Sequence, residues 1–419
     1  MQIMSNKGGI TTAFIKTTKF KSELLTIRFI LPLKSETAGD NSLAASIIFE
    51  TSDNYRQAGM LSRALSKLYG AGVNVSVDRV GDNQIITFSL KSLADKYALG
   101  EEKCFTKGAE ILYEILFNPY LVDGAFEKGN FSKMKRILLD KIDSEINDKR
   151  IYAKNQLLRT MFKGLPYETS RLGSKERVEA ATEKTAYEGY KRILNEAEIY
   201  ISFSGENYPE ELIEKFLLAF PKGERKVSRE IINPENLTTP NVVTEEMDIT
   251  QGKLVMGFLA PKGQDRETYP YMIMSDIFGG GPYSKLFENV REKMGLCYYC
   301  SARMTRIKGF LMVESGVEKE NAIKAKDAIL EQLEDIKCGK FSQEVIESSK
   351  KSICDSLNSL KDSNIVMDNW FGVRSGEENP VTPEEMESLI KSVTKEQIIE
   401  CAKSLVPHTF YFLLPQGEK

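Results

Sequence analysis

The chain has 419 residues, enough for two or more domains with ample core. With 41% hydrophobic and 28% charged residues, it is neither a disordered chain nor a fibre. The formal net charge is -3 with both signs interspersed, so no basic block is available for nucleic acid or an anionic membrane surface. The N-terminal stretch MQIMSNKGGITT has no apolar core of signal-peptide length, and no apolar run approaches a membrane span; a cytoplasmic protein is expected. Cys104, Cys297, Cys300, Cys338, Cys354 and Cys401 are scattered without a framework, as free thiols in a reducing compartment would be. His408 is the single imidazole.

In chain order, Leu25, Ile27, Phe29 and Leu31 alternate with Thr26 and Arg28, which predicts a half-buried strand. Gly39-Asp40-Asn41 then opens an apolar helix over Ser42–Phe49. A second helix carries Leu61, Ala64, Leu65 and Leu68 at helical spacing and stops at Gly70 or Gly72. Val73, Val75 and Val77 alternate in a strand, Gly81-Asp82-Asn83 turns, and Ile86, Phe88 and Leu90 alternate back. A helix around Ala109–Phe117 ends at Asn118-Pro119, a long charged helix spans roughly Phe126–Ile146, and a strand holds Ile199, Ile201 and Phe203.

The second half repeats this programme. Strand Leu254–Leu259, helix Tyr271–Phe278, a glycine loop and helix Lys285–Lys293 lead to a hairpin, Tyr298–Arg303 and Phe310–Ser315. Helices Asn321–Ile336 and Ser342–Leu360 follow, then two helices with capping boxes, Thr382 with Glu385 and Thr394 with Gln397, and a closing strand with Phe410, Phe412 and Leu414. The element order matches at a shift of about 210–225 residues, which predicts a duplicated α+β domain. The expected organisation is an N-terminal domain over 1–220, a polar linker over 221–246 containing Pro234 and Pro240, and a C-terminal domain over 247–419.

The most distinctive stretch is Phe278–Tyr299, FGGGPYSKLFENVREKMGLCYY. Gly279, Gly280 and Gly281 with Pro282 break the chain, an amphipathic helix restarts, and Gly295 ends it. Neither GxxxxGK[ST] nor GxGxxG is present, so close packing of two elements accounts for the glycines better than a phosphate cradle. Cys297-x-x-Cys300 has the spacing of a redox or zinc half-site. In a regular strand, however, positions three apart point to opposite faces, and no second CxxC completes a tetrahedral site. His408 reads as a polar strand-edge residue. GxSxG, DTG and DSG are absent, and the S-x-x-K pairs Ser132/Lys135 and Ser348/Lys351 lie on highly charged helices.

The run GGGxxSxLFxxxREKxGLxY closely resembles the second-half signature of the insulinase-like (pitrilysin-type, M16) metallopeptidases, which include the mitochondrial processing peptidase subunits. LYGAG at Leu68–Gly72 is similar to a segment of small bacterial members that occur as paired subunits. The resemblance implies two M16-type α+β domains in tandem, each a mixed sheet covered by helices, forming half of a clamshell around a peptide cavity. Active members carry the inverted zinc motif HxxEH on the first helix of the first half, with a later glutamate as third ligand. The matching helix here, Leu43–Phe49, has no histidine and no acid before Glu50; Asp140, Asp143 and Glu145 on the later helix cannot hold zinc alone. No metal is expected in this chain.

What the resemblance leaves is the other side of such a site. In this group an Arg and a Tyr of the second half approach the zinc centre and stabilise the oxyanion. The matching positions are Arg291 and Tyr298, whose guanidinium and phenol can be aimed at a developing negative oxygen. From spacing alone, the favoured reading is a solvated helix residue at Arg291 and a sheet residue at Tyr298. Gly279, Gly280 and Gly281 would line the cavity at the substrate. The implied function is a catalytically incomplete subunit of a heterodimeric zinc peptidase. Its partner would be an HxxEH-bearing M16 subunit that supplies zinc, and its substrates peptides or unfolded polypeptides; nucleic acid and membrane are not expected. The competing reading is a non-catalytic scaffold, homodimeric when alone, that binds a peptide or a modifying enzyme.

Overall fold

The computed structural model describes residues 1–57, 59–100, 102–261, 269–375 and 380–416. It divides into two compact units. Unit 1 comprises Met1–Asp143, Thr169–Glu230 and Lys361–Pro380, and unit 2 comprises Ser144–Glu168, Ile231–Leu360 and Val381–Lys419. No helix among the described residues is long and apolar enough to cross a membrane.

Unit 1 is built on a six-stranded sheet. Its strands are β1 Gln2–Lys7, β2 Ile10–Lys16, β3 Ser22–Pro32, β4 Gly72–Val80 and β5 Asn83–Leu93, then, after a small ribbon (β6 Leu121–Val122 with β7 Ala125–Phe126), β8 Glu198–Gly205. The order is β1-β2-β8-β3-β5-β4, with β2 and β8 parallel and the other pairs antiparallel. On one face Leu25, Ile27, Phe29 and Leu31 join Ile86, Phe88 and Leu90 of β5 and Ile199, Ile201 and Phe203 of β8. Helices Ala38–Glu50, Cys104–Phe117 and Glu183–Glu196 bury this face. β1 and β2 were not foreseen: Thr11, Thr12 and Lys16 blunt the alternation, and β2 finds its parallel partner far along the chain.

The other face of β3 is buried too, so the expected half-buried strand is fully enclosed: Thr26 is 1% and Arg28 3% exposed. Helix Asn364–Val373 covers it. Arg28 Nη2 lies 2.6 Å from Asp368 Oδ2 and 2.9 Å from Asn369 Oδ1, and Nη1 donates to Ser202 Oγ at 3.2 Å. The Ser202 hydroxyl in turn donates to Asp368 Oδ1. Two charges this far from water are tolerated only because each satisfies the other and neighbouring dipoles take the remaining donors and acceptors. A Cβ on Gly372 would fall 2.4 Å from the guanidinium carbon, so the glycine lets the helix backbone rest on Arg28.

Unit 2 repeats the plan with five strands: β9 Asn241–Met247, β10 Gly252–Leu259, β11 Cys297–Thr305, β12 Phe310–Val317 and β13 Val406–Pro415. Their order, β9-β13-β10-β12-β11, reproduces β2-β8-β3-β5-β4 with the same directions: the first pair is parallel and the rest antiparallel. The duplication read from the sequence is thus present in the hydrogen-bond topology, with β1 the one strand of the six-stranded sheet that lacks a counterpart among the described residues. β9 falls in the stretch read as linker. Its burial is low because it is an edge strand, which explains its weak pattern.

The correspondence extends to the covering helices. Helix Lys149–Met161 lies on β10 and β13, the equivalents of β3 and β8 on which Asn364–Val373 lies. Leu157, Leu158, Met161 and Phe162 pack there against Val255, Leu259, Phe310, Met312, Tyr411 and Leu413. A Cβ on Gly257 would meet Met161 Sδ at 2.7 Å, so glycine lets the helix approach without displacing that side chain. Both predicted capping boxes are formed: Thr382 and Glu385 exchange bonds of 2.8 and 3.2 Å, and Thr394 and Gln397 bonds of 2.9 and 3.4 Å.

Candidate functional site

The glycine stretch begins at the end of helix Pro270–Gly279. A Cβ on Gly279 would sit 2.4 Å from the backbone nitrogen of Ala302 on β11 and 3.0 Å from Leu286 Cδ1, so glycine lets the helix end abut the sheet. Gly280 faces its own helix, its Cβ position 2.1 Å from Asp276 Oδ1, and Gly281 lies under the Tyr283 ring at 3.0 Å. Tyr283 donates to Asp276 Oδ2 at 2.6 Å; burial pushes the Asp276 carboxyl up. The three glycines thus sit at a packed junction, with Gly280 at its exposed end.

After it, Leu286–Lys293 is wound as a π-helix rather than the expected α-helix. The Met294 N–H reaches back five residues to Asn289 O at 2.9 Å, and the Leu296 N–H reaches Val290 O at 3.1 Å. Asn289 is anchored by its amide, which donates to Gln332 Oε1 at 2.5 Å. Gly295, at φ +63°, turns the chain into β11. Wide helical turns of this kind concentrate at functional positions. Leu286 and Val290 point inward, and Arg291 emerges with 40% of its side chain exposed. Its guanidinium lies 4.6 Å from the Phe287 ring centroid, and its Nε is a loose 3.5 Å from Glu292 Oε1.

Tyr298 is 57% exposed, and its hydroxyl donates to Glu318 Oε1. That bond and the Glu318 charge push the phenol up. The pairing of β11 with β12 explains its position: Cys297 faces Val317, Tyr299 faces Gly316 and Cys300 faces Ser315. Tyr298 is therefore one residue too many, a β-bulge. Val317 and Ser315, two apart, share a face, so Cys297 and Cys300 share it as well. The expectation that these cysteines point to opposite faces is overturned by this single insertion. The neighbouring Cys300 thiol, with Ser315 and Arg291, pulls the Cys297 thiol down against its burial. Cys297 in turn, with burial, pushes the Cys300 thiol up.

Helix Ala38–Glu50, the match to the zinc helix, begins four residues earlier than expected, so Asp40, Asn41 and Ser42 lie within it and are buried. Their polar groups are satisfied by partners the sequence did not suggest. Asn41 donates to Gln84 Oε1 at 3.0 Å and accepts from Arg192 at 2.9 Å. Gln84 also donates to Arg171 O at 2.6 Å and to Ser42 Oγ at 3.1 Å. Asp40 accepts from Arg177 and, at 3.0 Å, from Thr185. Ser46 bonds back to Ser42 O at 2.9 Å. Of the later carboxylates, Asp143 pairs with Lys175 at 2.8 Å and Glu145 accepts from Asn155 at 2.8 Å. His408 is in unit 2, buried in β13 with Nδ1 2.8 Å from Thr409 Oγ1, and burial pushes it down. No cluster of three or more His, Cys, Asp or Glu able to hold a metal occurs among the described residues.

Residues 182–353 match the family model described as Peptidase M16 inactive domain. The chain is 29% identical to the Bacillus subtilis protein called "Probable inactive metalloprotease YmfF", over 98% of this chain and 97% of that one. The crystal structure of a conserved protein from Enterococcus faecalis superposes with a TM-score of 0.93 at 28% identity, covering 100% of this chain and 99% of the other. A peptidase M16 inactive domain from Pseudomonas fluorescens superposes at 0.81, with 17% identity over 100% and 99%, and so shares the fold.

Proposed function

We propose that this chain, an M16 peptidase-like protein whose sequence lacks HxxEH, serves as the zinc-less subunit of a two-chain metallopeptidase. It would present Arg291 and Tyr298 to a partner that carries HxxEH and the metal. The observation that carries the reading is the pairing of two local irregularities, a π-helix and a β-bulge, each bringing one of these side chains to the surface. Such distortions cost free energy and persist where a side chain must be aimed. In the partner's site, the guanidinium would donate to the oxyanion as a peptide carbonyl becomes tetrahedral, and the phenol would donate beside it after exchanging Glu318 for substrate. The polar network around Asn41 and Gln84 fits the division of labour, because it occupies the matching helix without a metal ligand set.

The test is co-purification of the tagged chain from its own cells. A stoichiometric partner of similar size bearing HxxEH is expected, and the complex should hydrolyse unfolded peptides. Arg291→Ala should lower turnover about 10²–10³-fold, the scale for loss of one oxyanion donor, with zinc content unchanged. Recovery of the chain alone, or with an unrelated enzyme, would overturn the reading in favour of the scaffold. The Tyr298–Glu318 bond favours that second reading, since it gives the phenol a partner within its own unit.

A further inference from the structure

The bulge at Tyr298 has a chemical effect on the two cysteines beside it. In a regular strand, Cα atoms three residues apart are separated by about 10 Å; with one residue looped out, Cys297 and Cys300 span only two residue steps, about 6.7 Å. That is within the reach of a disulfide, whose Cα atoms lie up to about 6.8 Å apart. The two cysteines sit on one face of β11, close enough for each thiol to act on the other. They differ in access: Cys297 is half-buried, whereas Cys300 is 7% exposed. The Arg291 cation acts on Cys297. An accessible, cation-flanked sulfur with a sheltered second thiol on the same face is the arrangement of an attacking and a resolving cysteine.

We propose that Cys297 and Cys300 form a reversible dithiol–disulfide pair oxidised by hydrogen peroxide or an organic hydroperoxide. The Cys297 thiolate attacks one peroxide oxygen; the O–O bond breaks, and the departing hydroxide or alkoxide takes a proton to leave as water or alcohol. Cys297 is then a sulfenic acid. The Cys300 sulfur attacks it, the S–S bond forms as the S–O bond breaks, and the hydroxide leaves with the Cys300 proton as water. Two thiols are oxidised by two electrons, and one peroxide is reduced. The disulfide removes the negative sulfur beside Arg291. The pair needs no second protein, so the proposal stands or falls apart from the function proposed above.

The experiment uses the full chain, reduced and freed of metal, exposed to hydrogen peroxide and quenched with N-ethylmaleimide before tryptic mass spectrometry. Lys293 and Arg303 bracket both cysteines in one peptide, Met294–Arg303. The expected product is that peptide two hydrogens lighter and unalkylated, restored by dithiothreitol, and formed about tenfold faster than Cys338 is oxidised in the same molecule. Cys338 is exposed and serves as the internal reference. Cys300→Ser should accumulate a dimedone-reactive sulfenic acid on Cys297, and Cys297→Ser should leave Cys300 reduced. Both cysteines alkylated after Cys338 has been oxidised would overturn the proposal, as would sulfonic acid on Cys297 with Cys300 still alkylated. The wild-type comparison decides the matter even if a variant fails to fold.

Discussion

Asp368→Ala should loosen unit 1 from within. The carboxylate holds Arg28 at 2.6 Å with both side chains about 3–4% exposed, and it also accepts from Ser202. Removing it leaves a guanidinium with Asn369 and Ser202 as neutral partners, in a place water does not reach. At an effective dielectric of 20, charges about 4 Å apart interact by about 4 kcal/mol, and breaking one side of a buried pair costs about 3–5 kcal/mol. The chain has one tryptophan, Trp370, on the same helix with Arg374 stacked 3.6 Å from its ring. Its fluorescence therefore reports the release of Asn364–Val373 from the sheet. With a urea slope of about 2–3 kcal/mol/M, the Trp370 midpoint should fall by about 1–2.5 M. Replacing both partners by apolar residues, Arg28→Met with Asp368→Leu, should recover most of that loss. An Asp368→Ala midpoint within about 0.3 M of the parent, by the same slope, would refute the reasoning. So would a double variant as weak as the single one.

Two further outcomes follow from burial and space. Burial, reinforced by Asp95 and Glu206 and opposed by Lys96, pushes the Glu23 carboxyl up to about 7. The folded state thus holds this proton more tightly than the unfolded state, whose value is 4.5, and the stabilising contribution is full below that value and lost as pH rises through about 7. Glu23→Gln should flatten urea midpoints across that window, raising them above the parent near neutrality and not in acid; parallel profiles would refute the assignment. Gly257→Val should cost about 1–3 kcal/mol through overpacking against Met161 and Leu157, read as a lowered urea midpoint, whereas Gly257→Ala should cost less because the Met161 sulfur can move aside.

The sequence was most legible where a signal is local. Alternation marked β3 and β5, reciprocal Thr–Glu and Thr–Gln spacing marked two helix starts, and the repeated order of elements foretold a repeated sheet. What was missed depends on distant partners. Arg28 looked like an outward residue because the helix that buries it arrives 340 residues later. Asp40 and Asn41 looked like a helix start rather than its buried interior because Gln84, Arg177 and Arg192, which satisfy them, lie on other elements. The bulge at Tyr298 shows only in the count of residues on β12, so the shared face of Cys297 and Cys300 could not be read from β11 alone. Arg291 and Tyr298 were found by resemblance; their exposure, and the wide helix and bulge behind it, came from the structure.

The late arrival of Asn364–Val373 bears on how the protein is made. The last strand of the six-stranded sheet, β8, is complete once residue 205 is synthesised, but the carboxylate that neutralises Arg28 follows at residue 368. At 5–20 residues per second, the sheet waits about 8–30 s with one face open and an uncompensated arginine at its centre. That interval rewards slow commitment: a nascent chain that kept its open face wetted, or held by a chaperone, would escape wrong pairings before closure. Expression temperature and chaperone supply should therefore govern yield more than the final stability does, and a chain truncated before residue 364 should be recovered as aggregate.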